Sequence, residues 1–532
     1  MKFLLAAVNA KYVHTNPAVY SLAAYAKTHA AFCHETVVRE YTINRLPGDI
    51  LAAIYAENPD AIGFSCYIWN WNVIRFLLRE LPKVLPETRI FLGGPEVSFH
   101  SEKILAEFPQ VEAVMIGEGE QTFAELLDAL PDGPLEDVKG LMLRSGFTGE
   151  RAPLPMDSVP FFYGDIPDLI PFQDRILYYE SSRGCPYCCS YCLSSIGKTL
   201  RVRSFENVKK HLDFFLSAKV PQVKFIDRTF NAHKEHALSV WTYLKEHDNG
   251  VTNFHFEIAA DLLSEEEVAV IRAMRPGLIQ LEIGVQSTNA ETLAAIRRHA
   301  DTETIRRAVS ALRKAGNVHI HLDLIAGLPF EDRASFLRSF DEVFSMGPHE
   351  LQLGFLKVLK GTAMEEKAEE YGLSFLSEPP YEVLSTKWIS YEEVREFHRV
   401  EEMVEVYYNS CQFTQTLPLF SEKFPSPYDF FLALAGWYAS RGYFVQVPSR
   451  SRRYEILLEF AISLGSSSFA EKIREALSLD YYLREKPRRL PSFVTRVPDL
   501  SRFDYDHRDP VTGNCAFKEK KSEEEAQTQK RE

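Results

Sequence analysis

Short apolar runs alternate with helical stretches along the first part of the chain. Between the first two runs lies the helical segment VYSLAAYAK, which Asn16 is placed to cap and Pro17 to begin. The strand-like runs are FLLAAV (3–8), TVVREY (36–41), IGFSCY (62–67), IFLGG (90–94) and AVMIG (113–117). Such alternation is typical of a doubly wound parallel sheet, so we expect a Rossmann-like α/β domain over residues 1–145.

A second alternating series follows a proline-rich passage. The passage, residues 146–175, is predicted to be a linker because of Pro153, Pro155, Pro160, Pro167 and Pro171. The next strand-like runs are ILYYES (176–181), VKFID (223–227), FHFEIA (254–259), LIQLEIGV (278–285), VHIHLDLIAG (318–327) and LQLGFLKVL (351–359). Six strand–helix repeats favour a partial (β/α)6 barrel over residues 176–375 rather than a full eightfold barrel.

The pattern changes to aromatic-rich helical segments beyond residue 375. Helices are predicted near 391–411, 427–441 and 451–464, so residues 376–517 are expected to form a mainly helical domain. Its aromatic side chains could line a pocket, although core packing is the more ordinary role for such side chains in helices. Residues 518–532 are too polar to bury a core and are predicted to be a disordered tail.

Charge and hydropathy restrict the class of function. The 532 residues carry a formal charge of −14, which argues against a broadly basic nucleic-acid-binding protein and favours a small or medium-sized substrate. No run approaches the roughly 18 apolar residues that span a bilayer, and the apolar start lacks a small-residue cleavage site. We therefore expect a cytoplasmic protein with no nucleic-acid or membrane partner.

Four of the eight cysteines lie within positions 185–192, which indicates a metal site rather than a disulfide framework. The segment RGCPYCCSYCLSS follows a predicted strand and spaces Cys185, Cys189 and Cys192 as C-x3-C-x2-C. Three thiolates can hold a [4Fe–4S] cluster and leave one iron open to a small molecule. A zinc site is the alternative, since Cys188 completes two C-x2-C pairs, but zinc knuckles normally separate such pairs by a longer loop.

This spacing, with Tyr191 before the last cysteine, resembles the radical S-adenosylmethionine (SAM) superfamily. The resemblance implies that the open iron chelates SAM, and that one electron from a reductant such as flavodoxin or ferredoxin cleaves it to a 5′-deoxyadenosyl radical. The SAM contacts implied at the barrel's strand ends are Tyr191, Asp227, Glu257, Gln286, Ser287 and Gly327. Each is also compatible with ordinary turn chemistry, but ligands do collect at the C-terminal ends of parallel strands.

Four segments follow predicted strands of the N-terminal domain: NAKYVHTNP (9–17), FSCYIWN (64–70), LGGPE (92–96) and IGEGEQTF (116–123). They resemble the cobalamin-binding domain of B12-dependent radical SAM enzymes. The first strand is not followed by a G-x-G-x-x-G motif, which argues against a dinucleotide-binding domain. The implied corrinoid contacts are Asn9, Lys11, Tyr12, His14, Ser65, Tyr67, Gly93, Gly94, Pro95, Glu96, Gly117, Glu118, Gly119 and Glu120. The usual D-x-H-x-x-G motif is missing, so corrinoid binding without a histidine ligand is implied. His14 as a shifted cobalt ligand is the alternative.

The resemblance covers nearly the whole chain and is to a B12-binding radical SAM subgroup with an uncharacterised C-terminal domain. It implies a cobalamin-dependent methyltransferase that acts on an unactivated carbon of a small-molecule or natural-product-like substrate, with a [4Fe–4S] cluster, SAM and cobalamin as cofactors. One alternative is a cobalamin-binding radical SAM enzyme that catalyses a rearrangement or cyclisation. A non-catalytic cobalamin sensor or a zinc-binding module is another. We expect the cofactors and substrate to meet where the N-terminal sheet faces the barrel mouth.

Overall fold

The computed structural model of the protein describes residues 1–166, 169, 172–197, 199–485 and 491–494, and the backbone of strands at 503–506 and 516–519. An N-terminal sheet, a parallel barrel sheet and a helical part follow one another along the chain. This order confirms the predicted α/β architecture. No helix in the described part of the chain is long and apolar enough to cross a membrane.

The N-terminal part is a sheet with helices on both faces. Its strands are β1 (Lys2–Asn9), β2 (Glu35–Thr42), β3 (Ala61–Ser65), β4 (Arg89–Gly93), β5 (Val111–Met115), β6 (Leu141–Leu143) and β7 (Gly146–Phe147). Its helices are α1 (Pro17–His29), α2 (Pro47–Glu57), α3 (Trp71–Val84), α4 (Pro95–Ser98), α5 (Ser101–Glu107) and α6 (Gly119–Ala129). The strand order is β2-β1-β3-β4-β5-β6-β7. Strand β1 is buried from its second residue onward because helices cover both faces.

The first five strands of this sheet are parallel, as the sequence predicts. Strands β6 and β7 then add an antiparallel hairpin that carries the sheet to Phe147, two residues beyond the predicted boundary at 145. Helix α1 begins as predicted, since the Asn16 side chain accepts a hydrogen bond from the Val19 N–H at 3.4 Å and Pro17 is the first helical residue.

The central part alternates strands with helices. Its strands are β8 (Leu177–Tyr179), β9 (Ser182–Arg183), β10 (Arg201–Val202), β11 (Gln222–Phe225), β12 (Asn253–Ile258), β13 (Ile279–Gln286), β14 (His319–Ala326) and β15 (Glu350–Phe355). Its helices are α7 (Phe205–Ser217), α8 (Lys234–Glu246), α9 (Glu265–Arg272), α10 (Ala290–Ala295), α11 (Thr302–Ala315), α12 (Arg333–Ser345) and α13 (Ala363–Glu366). Six strands pair in parallel in the order β8-β11-β12-β13-β14-β15, which confirms the predicted six repeats.

The barrel strands carry different residues on their two faces. In β14 the fully buried Ile320, Leu322 and Leu324 belong to the core beneath the helices. The alternate positions, which point the opposite way, are His319, His321 and Asp323. Along β14, the side chains that face the barrel interior are therefore polar, and those that face the outer helices are apolar.

The C-terminal part packs against the barrel. It comprises β16 (Ser374–Phe375), β17 (Val383–Ser385), α14 (Tyr391–Met403), α15 (Pro427–Ser440), α16 (Arg450–Ser463), α17 (Ser467–Arg484), β18 (Phe503–Asp506) and β19 (Ala516–Glu519). Phe340 of α12 packs against Tyr428 and Phe431 of α15, so barrel and helices share one core. Sequence analysis missed α17, whose serine-rich start resembles a loop. Most of the predicted tail, residues 520–532, lies outside the described residues, as do Pro167 and Pro171 of the linker.

Candidate active site

The cysteine loop lies after the first barrel strand and turns at Gly184. This glycine has a φ of +96°, and a Cβ at this position would lie 2.3 Å from the carbonyl oxygen of Thr199. Only glycine fits here, because L side chains rarely adopt this backbone conformation and the space is already occupied. The loop therefore starts from a fixed turn, and Cys185 is the next residue.

The three predicted cluster ligands fit a [4Fe–4S] cluster better than zinc. Cys185 and Cys189 are buried and Cys192 is half-buried. A tetrahedral zinc ion holds thiolates about 2.3 Å from the metal and so about 3.8 Å from one another. No trio of cysteine sulfurs within 4.8 Å of one another occurs among the described residues. Sulfurs that do not all lie within 4.8 Å of one another are compatible with a cluster in which each cysteine binds a different iron.

Arg298 brings positive charge to this loop. Its Nη1 lies 3.9 Å from the Sγ of Cys189, and its Nη2 donates to the carbonyl of Gly284. Burial raises the pKa of the Cys189 thiol, and the Arg298 charge opposes that rise. A nearby guanidinium favours the thiolate, which is the form that binds metal. Sequence analysis missed Arg298 because only the folded chain brings it beside the cysteines, 109 positions away.

Two of the predicted SAM contacts, Asp227 and Ser287, have hydrogen-bond partners within the protein. Asp227 is fully buried, and its carboxylate accepts hydrogen bonds from the Ser181 N–H at 3.1 Å, the Ser181 hydroxyl at 2.8 Å and the Ser182 hydroxyl. Burial raises the pKa of Asp227 to about 7, although these serine hydrogen bonds act against the rise. Ser287 is also fully buried and donates to Glu331 Oε1 at 2.6 Å. These hydrogen bonds hold both side chains in place, and as SAM contacts Asp227 and Ser287 stay predictions.

The remaining predicted SAM contacts lie at or near strand ends. Glu257 Oε1 is 3.6 Å from Lys224 Nζ near the end of β12, and Gln286 ends β13 with a φ of +72°. Gly327 packs against Val383 of β17. Burial raises the pKa of Tyr191, which lies near Arg298 and the cysteines. As SAM contacts, Tyr191, Glu257, Gln286 and Gly327 stay predictions.

Two adjoining cavities separate the N-terminal sheet from the barrel. Their volumes are about 640 and 730 Å³, and Tyr67, Glu118, Tyr178 and Arg183 line both of them. Leu193, which follows the last cysteine of the loop, also lines the first cavity. The cavities run along the C-terminal edge of the parallel N-terminal strands, which is where such sheets bind ligands. A bulky ligand at this edge would therefore lie beside the cysteine loop.

Most of the predicted corrinoid contacts line these cavities. They are Asn9, His14, Ser65, Tyr67, Gly93, Gly94, Pro95, Gly117, Glu118, Gly119 and Glu120. Three others do not line them, and as corrinoid contacts they stay predictions. Lys11 and Tyr12 are turned outward to solvent. Glu96 is buried because its Oε1 accepts hydrogen bonds from Lys360, at 2.7 Å, and from Tyr381.

The segment that the sequence predicts to be a linker also forms part of the site. Val159, Phe161 and Tyr163 line the first cavity. Tyr163 donates to the Tyr178 carbonyl at 2.9 Å, which holds this segment against β8. The aromatic triplet FFY at 161–163 was the available signal, because three consecutive aromatics are unusual in a solvated linker.

His14 lies at the junction between sheet and barrel. Its Nδ1 is 2.6 Å from the Tyr178 hydroxyl, and its carbonyl accepts from the Asn9 amide at 3.0 Å. Burial, and then the charge of Lys11, lower the pKa of His14, so the ring is neutral at pH 7. The bond to Tyr178 fixes the imidazole between the two domains. The absence of a histidine ligand to cobalt stays a prediction.

Arg183 joins the two halves of the site. Its guanidinium lies 3.1 Å from Glu118, 2.9 Å from Glu120 and 2.7 Å from Glu180. Burial alone would lower the pKa of Arg183, but the Glu180 and Glu120 carboxylates outweigh it and raise that pKa. The residue lies two positions before Cys185. The glycine-rich loop of the N-terminal sheet is thus bound to the start of the cysteine loop.

A charged layer inside the barrel was not predicted. Lys224 Nζ is 3.1 Å from Glu282 Oε2, and His255 Nε2 is 2.9 Å from the same oxygen. Burial would raise the pKa of Glu282, but His255 and Lys224 outweigh it and lower that pKa. Asp323 is half-buried, and burial together with the charge of Glu282 raises its pKa. The alternation HIHLD at 319–323 was the signal, since it places three polar side chains on one face of a strand.

Three family models match the chain in the order of its structural parts. "B12 binding domain" matches residues 4–127, "Radical SAM superfamily" residues 179–343, and "Protein of unknown function (DUF4080)" residues 369–530. The first falls on the N-terminal sheet, the second on the barrel and the third on the C-terminal part.

Curated relatives and a solved structure agree with these matches. The cobalamin-dependent radical SAM methyltransferase TokK of Streptomyces tokunonensis is 26% identical over 349 residues, 59% of this chain and 50% of that protein. An uncharacterised methyltransferase of Pyrococcus horikoshii is 28% identical over 303 residues, 54% of this chain and 64% of that protein. The chain thus spans less than two thirds of either relative. The cobalamin-dependent S-adenosylmethionine radical enzyme OxsB, with aqua-cobalamin bound, shares the fold with a TM-score of 0.61 and 16% identity, covering 90% of this chain and 79% of that one.

The cysteine loop, the barrel and the matched domains together define a radical SAM enzyme with an N-terminal B12-binding domain. Beyond these two domains, the chain continues into a part that matches the DUF4080 model. The family that the sequence motifs predict is thereby confirmed, including the additional domain at the C-terminal end.

Proposed function

We propose that the protein is a cobalamin-dependent methyltransferase that acts on an unactivated carbon of a small-molecule substrate. The shared cavity carries this proposal, because loops of the B12-binding domain and the segment after the third cysteine line the same space. Methyl transfer is supported by the relative TokK, which is a cobalamin-dependent radical SAM methyltransferase. When bound, the [4Fe–4S] cluster and SAM supply a 5′-deoxyadenosyl radical, and cobalamin supplies a carrier for the methyl group.

Cys185, Cys189 and Cys192 are the proposed cluster ligands, and Cys188 is left as a spare thiol. Arg298 keeps positive charge beside Cys189 and so favours the thiolate form. Asp227 holds the chain between β8 and the cysteine loop through Ser181 and Ser182. The proposed cluster ligands, the positive charge beside them and the residue that supports their loop thus come from three different parts of the barrel.

The B12-binding domain is proposed to hold the corrinoid at the C-terminal edge of its sheet. Tyr67 and Trp69 stack with ring centroids 4.2 Å apart and offer an apolar wall to the cavity. Gly94 has a φ of +110°, and a Cβ there would lie 2.5 Å from the Cys66 carbonyl, so only glycine lets these two loops approach. We propose that cobalt has no histidine ligand, because these loops lack the D-x-H-x-x-G motif. His14, whose Nδ1 is held by Tyr178, would have to bind cobalt through Nε2 and is the alternative.

The space between the N-terminal sheet and the barrel mouth is proposed to receive the substrate, next to SAM at the mouth. Tyr191, Glu257, Gln286 and Gly327 are the proposed SAM contacts, since they lie near the cysteine loop or at strand ends. A low-potential one-electron donor, such as flavodoxin or ferredoxin, is the proposed partner.

Labelled SAM tests the reaction class directly. The reconstituted protein would be incubated anaerobically with cobalamin, a low-potential reductant, SAM bearing a deuterated methyl group, and a metabolite extract. We expect 5′-deoxyadenosine, S-adenosylhomocysteine and one extract component that acquires the labelled methyl group. Formation of 5′-deoxyadenosine without S-adenosylhomocysteine or labelled product would overturn methyl transfer and favour a rearrangement or cyclisation.

Cysteine variants separate the radical SAM chemistry from the reaction class. Cys185→Ala should lose bound iron and all 5′-deoxyadenosine formation, whereas Cys188→Ala, one of the neighbouring thiols, should keep both. Equal loss of iron in both variants would contradict the ligand assignment. Cobalamin absorbance in His14→Ala tests the cobalt ligand, and we expect the spectrum of the bound corrinoid to be unchanged.

A further inference from the structure

Four histidines gather inside the barrel at the end opposite the cysteine loop. His319 and His321 are on β14, His255 is on β12, and His349 directly precedes β15. The ring centroid of His319 lies 4.6 Å from that of His321 and 5.0 Å from that of His349. The ring centroids of His321 and His255 are 5.7 Å apart. The first barrel position of β15, Glu350, pairs in register with His321.

Two of these histidines have both ring nitrogens occupied by the protein. His255 Nε2 is 2.9 Å from Glu282, and its Nδ1 is 2.6 Å from the Gln280 amide. His349 Nδ1 accepts from the Ile320 N–H at 3.1 Å, and its Nε2 is 2.6 Å from Arg313. Neither ring therefore offers a nitrogen to an additional ligand.

His319 and His321, in contrast, each offer a ring nitrogen to an additional ligand. The Nε2 atoms of His319 and His321 are buried, and neither has a hydrogen-bond partner among the described residues. They lie 3.8 and 3.4 Å from the same oxygen, Oε2 of Glu350. The ligand atoms of these three residues all lie within 4.8 Å of one another. A buried nitrogen without a partner is unfavourable, and two that converge on one carboxylate are unusual in a packed interior.

We propose that His319, His321 and Glu350 bind a divalent transition-metal ion. Two imidazoles and one carboxylate are a ligand set that zinc and iron(II) both use in proteins, and it leaves at least one position open. The His319 side chain is 7% exposed and that of Glu350 34%, so the imidazoles are shielded while the carboxylate remains reachable from solvent. The ion would join β14 to β15 beneath the charged layer of Lys224 and Glu282.

This site is separate from the cluster site and from the proposed reaction. His319 begins β14, whereas the cysteine loop lies at the C-terminal ends of the strands. With eight residues in β14 and about 3.3 Å per residue, the two ends of that strand are about 23 Å apart. Failure of the metal proposal would leave the methyl-transfer proposal intact, and the reverse also holds.

Cobalt(II) is the probe that tests the site, because its visible d–d absorption reports coordination by nitrogen and oxygen. The full-length chain would carry Cys185→Ala, Cys189→Ala and Cys192→Ala, so that thiolates of the cluster site do not compete. We expect one Co²⁺ to bind per chain and one equivalent of Zn²⁺ to displace it. Zn²⁺ should also raise the thermal midpoint of the cluster-loaded native protein.

Single substitutions then identify the ligands. His319→Gln and His321→Gln should each weaken Co²⁺ binding by about 100-fold or more, since even residues behind the ligands often change metal affinity 10- to 100-fold. His255→Gln is the matched control, because its ring neighbours His321 but has both nitrogens paired, and it should bind as the parent does. Glu350→Gln changes a more exposed side chain, so this variant is the least at risk of misfolding. Circular dichroism would check the folding of all variants. Absence of one-to-one Co²⁺ binding in the parent, or parent-like binding in both His319→Gln and His321→Gln, would overturn the proposal.

Discussion

Replacing Gly184 with alanine should prevent the cysteine loop from holding its cluster. The new methyl group would lie 2.3 Å from the Thr199 carbonyl oxygen, where ordinary contact begins at 3.4 Å, so the backbone must move by about 1.1 Å. The φ of +96° adds strain, since left-handed conformations cost an alanine about 1–2 kcal/mol. Cys185 is the next residue, so the shift falls directly on a proposed cluster ligand. A misplacement of about 1 Å can lower a catalytic rate by about 100-fold.

Iron and sulfide content, the electron paramagnetic resonance spectrum of the reduced protein, and the rate of 5′-deoxyadenosine formation measure this effect. We expect Gly184→Ala to bind less than half of the parent's iron and to form 5′-deoxyadenosine about 100-fold more slowly. Gly197→Ala is the matched control near the end of the same loop, because a Cβ there meets no atom within 4 Å. A Gly184→Ala protein with the parent's iron content and spectrum would refute the reasoning from the tight turn.

Two further predictions concern charged groups around the site. Arg183→Gln leaves Glu120, whose side chain is only 6% exposed, without its main counter-charge, so we expect a loss of about 3–5 kcal/mol in stability, a lower thermal midpoint and faster release of cobalamin. Asp227 has its pKa raised from 3.8 to about 7 in the folded chain. Its contribution to stability is therefore present at low pH and is lost as the pH rises to about 7. Relative to Asp227→Asn, the parent should lose about 2–3 kcal/mol between pH 5 and pH 8 in denaturant titrations, and parallel curves for the two proteins would contradict the shift.

The parts of the fold that sequence patterns predict are the parts set by local chemistry. The parallel strands are apolar because they are buried on both faces, and the cysteine ligands lie within eight residues of one another. Both features are therefore visible in short, continuous stretches of the sequence. The six barrel strands were predicted for that reason, whereas the corrinoid loops at the ends of β1, β3, β4 and β5 are implied by the family resemblance and stay predictions.

The parts that were missed depend on contacts between distant segments. Arg298 meets Cys189 across 109 positions, and Arg183 meets Glu120 across 63. The same separation in sequence explains why the internal partners of Asp227 and Ser287 were not predicted. A strand-end polar residue looks the same in the sequence whether it faces a ligand or bonds inward, and only the fold shows that Ser287 is bonded to Glu331, 44 positions away.

The contact of Arg183 with Glu118 and Glu120 limits how the two cofactor domains can be recombined. A chimera that joins this N-terminal sheet to the barrel of a distant relative keeps its domain junction only if the recipient supplies a guanidinium two residues before its first cluster cysteine. Without that guanidinium, Glu118 and Glu120 lose one positively charged partner where they meet the new barrel. Substitutions on the two sides of this junction are therefore expected to be accepted in pairs, so that exchange of either domain alone is disfavoured.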